Sequence, residues 1–155
     1  MDYELIEDRG QVIEQFMILY AQVMNAQKKY LIDHGIDDIS IQDVRIIETI
    51  ALSNKPTVSS LANVTSLTRG KITKGTMSVE LKKLEKLGYI QRERSRLDRR
   101  VSYFSLTKKG LNAMNIHAMF HNQLNELVAK HTGDVDVEVL IRSLDALIGS
   151  LDNLV

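Results

Sequence analysis

The chain has 155 residues, no cysteine, a single proline and 20 basic against 20 acidic side chains. That length suits one domain, or one domain with an appendage, and is enough to bury a core; without cysteine, a disulfide framework, a thiolate metal site and thiol-based redox sensing are all excluded. The acidic start Met-Asp-Tyr-Glu-Leu-Ile-Glu-Asp has no basic or apolar signal region, and no apolar run nears the ~18 residues of a membrane span, so a cytoplasmic protein with no membrane partner is expected.

From about Asp8 to Asp33, Ile13, Phe16, Met17, Tyr20, Met24, Gln27 and Leu31 recur at helical spacing, predicting one long amphipathic helix that stops at His34-Gly35. Ser40 can cap a second helix with Asp43 three residues on and Val44, Ile47, Ile50 and Ala51 as its apolar set. Ser53-Asn54-Lys55-Pro56 reads as a loop, and Thr57 as the cap of a short helix from Val58 to about Val64, with Leu61 and Ala62 inward. A further helix ends at Lys86-Leu87-Gly88, with Met77, Leu81 and Leu84 inside, Lys74, Thr76, Ser78, Lys82 and Lys86 outside, and Gly88 suited to follow its last turn.

Tyr89 to Arg94 and Val101 to Leu106 are two short β-like runs joined by the polar Ser95-Arg96-Leu97-Asp98-Arg99-Arg100, a connection of hairpin length. Thr107 caps a helix from Lys108 to about Lys130, with apolar positions at Leu111, Met114, Phe120, Leu124, Leu127 and Val128. After Thr132-Gly133-Asp134, a last helix from about Val135 to Leu154 carries a seam of Leu140, Leu144, Leu147, Ile148 and Leu151. No repeat or low-complexity tract interrupts the series.

The neutral total conceals a strong asymmetry. Between Ser66 and Lys109 there are 13 Lys/Arg and 4 Asp/Glu, a net of +9, and the remainder carries 7 basic and 16 acidic groups, a net of −9. A polyanion responds to the local field rather than the total. Two short helices, a basic helix and a basic hairpin follow one another in the order of a winged helix-turn-helix. The expected fold is therefore mainly α with a small β-hairpin wing: a DNA-binding lobe over residues 40–106 within a single 155-residue chain, and long dimerisation helices over 8–34 and 107–155.

Three ordered matches carry a family resemblance: Leu84-Glu85-Lys86-Leu87-Gly88-Tyr89-Ile90, Asp98-Arg99-Arg100 and Leu106-Thr107-Lys108-Lys109-Gly110. Here the sequence resembles the MarR family of transcriptional regulators. The resemblance implies a sequence-specific, homodimeric DNA-binding regulator, a repressor by type, on a pseudo-palindromic stretch of double-stranded DNA. It places the cap of the recognition helix at Thr73, fifteen residues before Gly88, so that Lys74, Gly75, Thr76, Ser78 and Lys82 fall on its exposed first turns. It also makes Arg100 the wing residue that enters the minor groove, with Asp98 pairing to it. On physical grounds, Arg96, Arg99 and Arg100 on a hairpin tip suit a groove of concentrated negative potential, and Arg92 and Arg94 suit phosphate contacts. From Thr57 to Gly88 the chain has about five residues more than the family pattern, so Ser66 to Ile72 either lengthen a turn or extend a helix, with Thr68 as an alternative cap and the roles of Arg69 and Lys71 open.

His117-Ala-Met-Phe-His121 sets two histidines at i and i+4, a spacing that suits a transition metal, and His34 with Asp33 is a candidate for completing it. The same segment, with Ile39-Ser40-Ile41 and Gly75-Thr76-Met77, resembles the fatty-acid-synthesis repressor branch of the family, which implies an acyl chain on acyl-carrier protein as effector. Met17, Met24, Met114 and Met119 would then line a flexible apolar interior, or be plain core. A zinc- or small-molecule-responsive regulator is the alternative. No nucleophile elbow, phosphate loop or paired carboxylates suggest an enzyme, no cofactor is expected, and a purely protein-binding helical module would leave the arginine-rich hairpin without a purpose.

Overall fold

The computed structural model describes residues 3–69 and 72–151. The elements are α1 (Tyr3–Asp33), α2 (Ile41–Leu52), α3 (Val58–Arg69), α4 (Lys74–Lys86), β1 (Ile90–Arg94), β2 (Ser102–Leu106), α5 (Lys108–His131) and α6 (Val137–Leu151). They fall into two compact units, Met1–Phe120 and His121–Val155, with α5 running from the first into the second. This is the helix-rich fold with a two-stranded wing that the chain order predicts. No described helix is long and apolar enough to cross a membrane.

The punctuation read from the sequence acts as its chemistry requires. Gly35 and Gly88 have φ of +80° and +81°, which glycine adopts without steric cost. Each closes a helix by the same pair of reverse bonds: Ile36 N–H to Leu31 O and Gly35 N–H to Ile32 O, then Tyr89 N–H to Leu84 O and Gly88 N–H to Glu85 O. Ser40 accepts from the Asp43 amide while the Asp43 carboxylate accepts from the Ser40 amide, a reciprocal capping box.

The core of the first unit lies where α2, α3 and α4 pack beneath the wing. Val44, Ile47, Leu61, Met77, Leu81, Leu84, Tyr89 and Ile90 are buried almost completely, and each such side chain contributes roughly 1.5–3 kcal/mol of burial. β1 and β2 pair antiparallel with Ile90 opposite Leu106, Arg92 opposite Phe104 and Arg94 opposite Ser102. Pro56 adds a strand-like contact of its own, its carbonyl accepting from the Phe104 amide at 3.1 Å.

Several boundaries differ from the sequence reading. α1 begins at Tyr3 rather than near Asp8, α6 at Val137, and each strand starts one residue later than its β-like run. α3 does not stop near Val64 but runs to Arg69; no Gly or Pro stands before Gly70 to break it. The extra residues between Thr57 and Gly88 therefore go largely into one further helical turn. Thr68 lies inside α3 and so does not cap the following helix, which Thr73 caps; the side chain of Arg69, and Gly70, Lys71 and residues 152–155, lie outside those described.

Some apolar positions of the long helices do not reach a core within the chain. Ile13, Phe16, Met17 and Tyr20 on α1, Leu127 and Val128 on α5, and Leu147, Ile148 and Leu151 on α6 are exposed. The methionine-lined interior is corrected likewise: Met17 and Met119 are exposed and only Met24 and Met114 are partly buried against the core.

Candidate nucleic-acid interface

The expected recognition helix, α4, is set by its ends. Thr73 has extended backbone and its hydroxyl accepts from the Thr76 amide at 3.1 Å, so α4 begins where the fifteen-residue count places it. With about 100° between successive residues, the buried stripe of Met77, Leu81 and Leu84 faces the body, and Gly75, Val79, Lys82 and Lys86 line the opposite side. Lys74 and Thr76 are exposed on its flanks and Ser78 is half-buried. The Thr76 hydroxyl lies 2.9 Å from that of Thr73, so it is engaged in the cap.

Two ion pairs tie α4 and the start of α5 to the α1–α2 region. Lys83 Nζ donates to Asp43 Oδ2 at 2.6 Å, and Asp43 is 1% exposed. Burial pushes the Asp43 carboxyl up, but Lys83 and the Ser40 amide and hydroxyl outweigh it and hold the group below the usual carboxylate range. The same carboxylate, with Glu80, outweighs desolvation at Lys83 and holds its ammonium above the usual lysine range. Lys109 donates to Asp38 at 2.9 Å and to the Leu87 carbonyl at 3.1 Å, over the face of the Tyr89 ring. Tyr89 donates its hydroxyl to the same Asp38, and burial followed by that neighbouring carboxylate pushes the phenol well above its ordinary range.

The wing is ordered from within. Ser95 N–H donates to the Val101 carbonyl at 2.9 Å, Val101 N–H to the Asp98 carbonyl at 3.0 Å, and the Ser95 hydroxyl accepts from the Leu97 and Asp98 amides. The turn holds Arg96, Arg99 and Arg100 exposed at the tip. Asp98 does not pair with the Arg100 guanidinium as the family resemblance implies; its carboxylate accepts from the Arg100 backbone amide at 2.9 Å. An aspartate side chain satisfied by an amide two residues on shapes the turn instead.

β1 connects the two surfaces. Arg92 lines a narrow cleft of about 30 Å³ together with Ser78, Lys82 and Glu85 of α4, while Arg94 and Arg96 border a larger cleft of about 550 Å³ with Lys55 and Tyr103. Among the described residues, Lys74, Lys82, Lys86, Arg92, Arg94, Arg96, Arg99 and Arg100 form no ion pair, whereas Lys83 and Lys109 pair with Asp43 and Asp38. The exposed cations thus occupy a helix face and a hairpin tip and are left available to an external anion.

The histidine constellation does not assemble. His117 is 2% exposed and bonds Glu48 Oε1 through Nδ1 at 2.5 Å, while His34 is exposed, bonds the Tyr30 carbonyl and stacks on the Tyr30 ring. Asp33 pairs with Lys29. Among the described residues no three His, Cys, Asp or Glu side chains converge as a metal-binding group.

Residues 46–127 match the winged helix DNA-binding domain family. The chain belongs to that family. This winged helix protein is 33% identical over 95 residues to the HTH-type transcriptional regulator SarZ of Staphylococcus haemolyticus, a match covering 61% of the chain and 61% of the relative, so under two thirds of that protein's length is spanned. Its fold is similar to Streptococcus pneumoniae FabT in complex with DNA, at 28% identity and a TM-score of 0.81 over 95% of this chain and 99% of that one. A mutant MarR from E. coli complexed with operator DNA shares the fold at 18% identity and a TM-score of 0.67, over 95% and 98% of the respective chains.

Sequence reasoning passed over two features of this surface. Val79 stands on the outer face of α4, and projecting that helix from Met77, Leu81 and Leu84 alone would have found it. The Asp43–Lys83 pair joins residues 40 positions apart, and neither the capping box nor the lysine run signals that they meet.

Proposed function

We propose that the protein is a transcriptional regulator of MarR type that binds double-stranded DNA as a homodimer, with α4 in the major groove and the wing in the adjacent minor groove. The observation that carries this reading is the unpaired state of the cations on the outer face of α4 and on the wing, while Lys83 and Lys109 are neutralised by Asp43 and Asp38. Lys74, Lys82, Arg92 and Arg94 supply phosphate contacts, Gly75, Thr76 and Ser78 bring the first turns of α4 close to base edges and backbone, and Arg96, Arg99 and Arg100 enter or flank the minor groove. Asp98 serves by shaping the turn that presents Arg100. The similar fold of FabT in complex with DNA supports DNA binding. The homodimer is supported by the apolar α1 face and by α6, which buries none of its residues within the chain. Two copies then address half-sites about 34–36 Å apart, and occupation of a promoter represses it.

The test is fluorescence anisotropy with a duplex enriched by the protein from a random pool, read across salt concentration. Arg100→Ala and Lys82→Ala are each expected to weaken binding and to flatten the slope of log K against log salt by about 0.9 for every phosphate no longer neutralised. Unchanged affinity and slope in both variants would overturn the interface.

An apolar effector is the second part of the proposal. A cleft of about 260 Å³ opens between α1 and the start of α2, lined by Met24, Leu31, Ile32, Ile39 and Ile41, with Lys28, Asp37 and Gln42 on its polar side. The apolar wall suits an alkyl chain, and the sequence resemblance to fatty-acid-synthesis repressors points to an acyl chain, delivered by acyl-carrier protein, in control of fatty-acid synthesis genes. Native mass spectrometry of the purified protein checks it. A retained lipid mass that Ile39→Asp abolishes supports it, and a zinc adduct lost with His117→Ala favours the metal-responsive alternative.

A further inference from the structure

Two residues on the outer face of α4 are poor choices for a helix and have no role inside the fold. Val79 is 63% exposed, and among the described residues it is the only large apolar side chain exposed on that helix. A β-branched residue loses rotamer freedom in a helix, and burial does not offset that loss here. Gly75 stands one turn earlier on the same face. A Cβ at that position would meet nothing closer than the Thr73 hydroxyl oxygen at 3.7 Å, an ordinary contact, and Gly75 is not among the glycines with positive φ. The fold would accept alanine there and would gain helix stability from it.

Together they form a small apolar step, a notch over Gly75 bounded by the two methyls of Val79. Lys82 continues the same face, with Lys74 to one side and Arg92 across the narrow cleft beside Ser78 and Lys82. The surrounding charge selects a polyanion, and the patch itself requires something apolar that the polyanion displays. The major-groove edge of duplex DNA offers one such group, the C5-methyl of thymine.

We propose that Val79 and the notch over Gly75 read thymine methyl groups in the major groove, which makes them specificity-determining residues of the interface. The inference rests on the DNA-binding reading above and adds the base that the helix selects. Val79 packs against the methyl, and glycine at 75 lets the helix settle deeply enough for that contact to form.

The experiment uses a duplex enriched by the full-length protein from a random pool, in which each thymine is replaced in turn by deoxyuridine, removing only the methyl. The wild type is expected to lose roughly three- to fivefold in affinity at one or two positions in each half-site, the worth of about one buried methyl. Val79→Ala is expected to show no loss at those positions while keeping the wild-type salt slope. Gly75→Ala is expected to melt higher than the wild type and yet bind the enriched duplex more weakly. Wild-type binding indifferent to every deoxyuridine, or a Val79→Ala profile identical to the wild type, overturns the inference and leaves DNA binding standing. Failure of the wild type to enrich or bind any duplex at low salt overturns both.

Discussion

Lys83, on the flank of α4, donates its ammonium to the buried carboxylate of Asp43 at the first turn of α2, at 2.6 Å. The same carboxylate accepts from the Ser40 amide and hydroxyl, so one anion both starts α2 and holds α4. Lys83→Met keeps most of the aliphatic stem but leaves a buried carboxylate short of its cation. It is expected to cost about 1–3 kcal/mol, read as a lowered denaturation midpoint by circular dichroism.

The pair also sets an acid limit. Because the folded pKa values of Asp43 and Asp38 are depressed, the stability they contribute is complete above the unfolded value near 3.9 and is lost as pH falls through the folded values. The melting temperature should therefore fall steeply once pH drops below about 4. In Lys83→Met, burial instead favours the neutral acid, so the deficit relative to the wild type should narrow on acidification. A deficit that stays constant from pH 7 to pH 3 would show that Lys83 does not act through Asp43.

Gly110 is a packing requirement. A Cβ there would overlap the Tyr89 carbonyl and lie 3.1 Å from its carbon, where the start of α5 crosses the entry to β1. Gly110→Ala forces these backbones apart and is expected to destabilise by about 1–3 kcal/mol. Gly75→Ala gives the opposite sign, and a chemical denaturation series on both variants checks the contrast.

Phe16 lies among Val12, Ile13, Leu19 and Tyr20 on the exposed apolar side of α1. If a second copy covers that side, Phe16→Glu places a charge in the interface and should shift the protein toward monomer, halving the mass found by sedimentation equilibrium. DNA affinity should fall with it, since two linked half-sites no longer reinforce each other. A Phe16→Glu protein with unaltered mass would relocate the interface.

The parts legible in the sequence are those that local chemistry determines. Ser40 with Asp43, Gly35, Gly88 and the two short runs of the wing each act within a few residues and stand within a residue of where the sequence predicts, and Thr73 caps α4 where the family resemblance places it. What long-range contacts decide was not legible. The α3 boundary depends on which residues fail to stop a helix, and the partners of His117 and Lys83 lie 69 and 40 residues away. Asp98 shows a subtler limit, since its motif locates the turn but not whether its carboxylate takes the Arg100 amide or guanidinium.

Thr107 joins the segments that present the interface. Its hydroxyl donates to the Gly88 carbonyl at 2.6 Å, with that of Tyr89 also in reach, and accepts from the Gly110 amide at 3.2 Å. The end of α4, the root of the wing and the start of α5 are thereby clasped at one point. Residues such as Gly75, Val79 and Lys82 belong to none of these internal bonds, so the proposed duplex-facing alphabet can be rewritten while the scaffold beneath keeps its shape. A lineage carrying this lobe could acquire new target sites by exchanging a few outward letters, without having to solve the folding problem again.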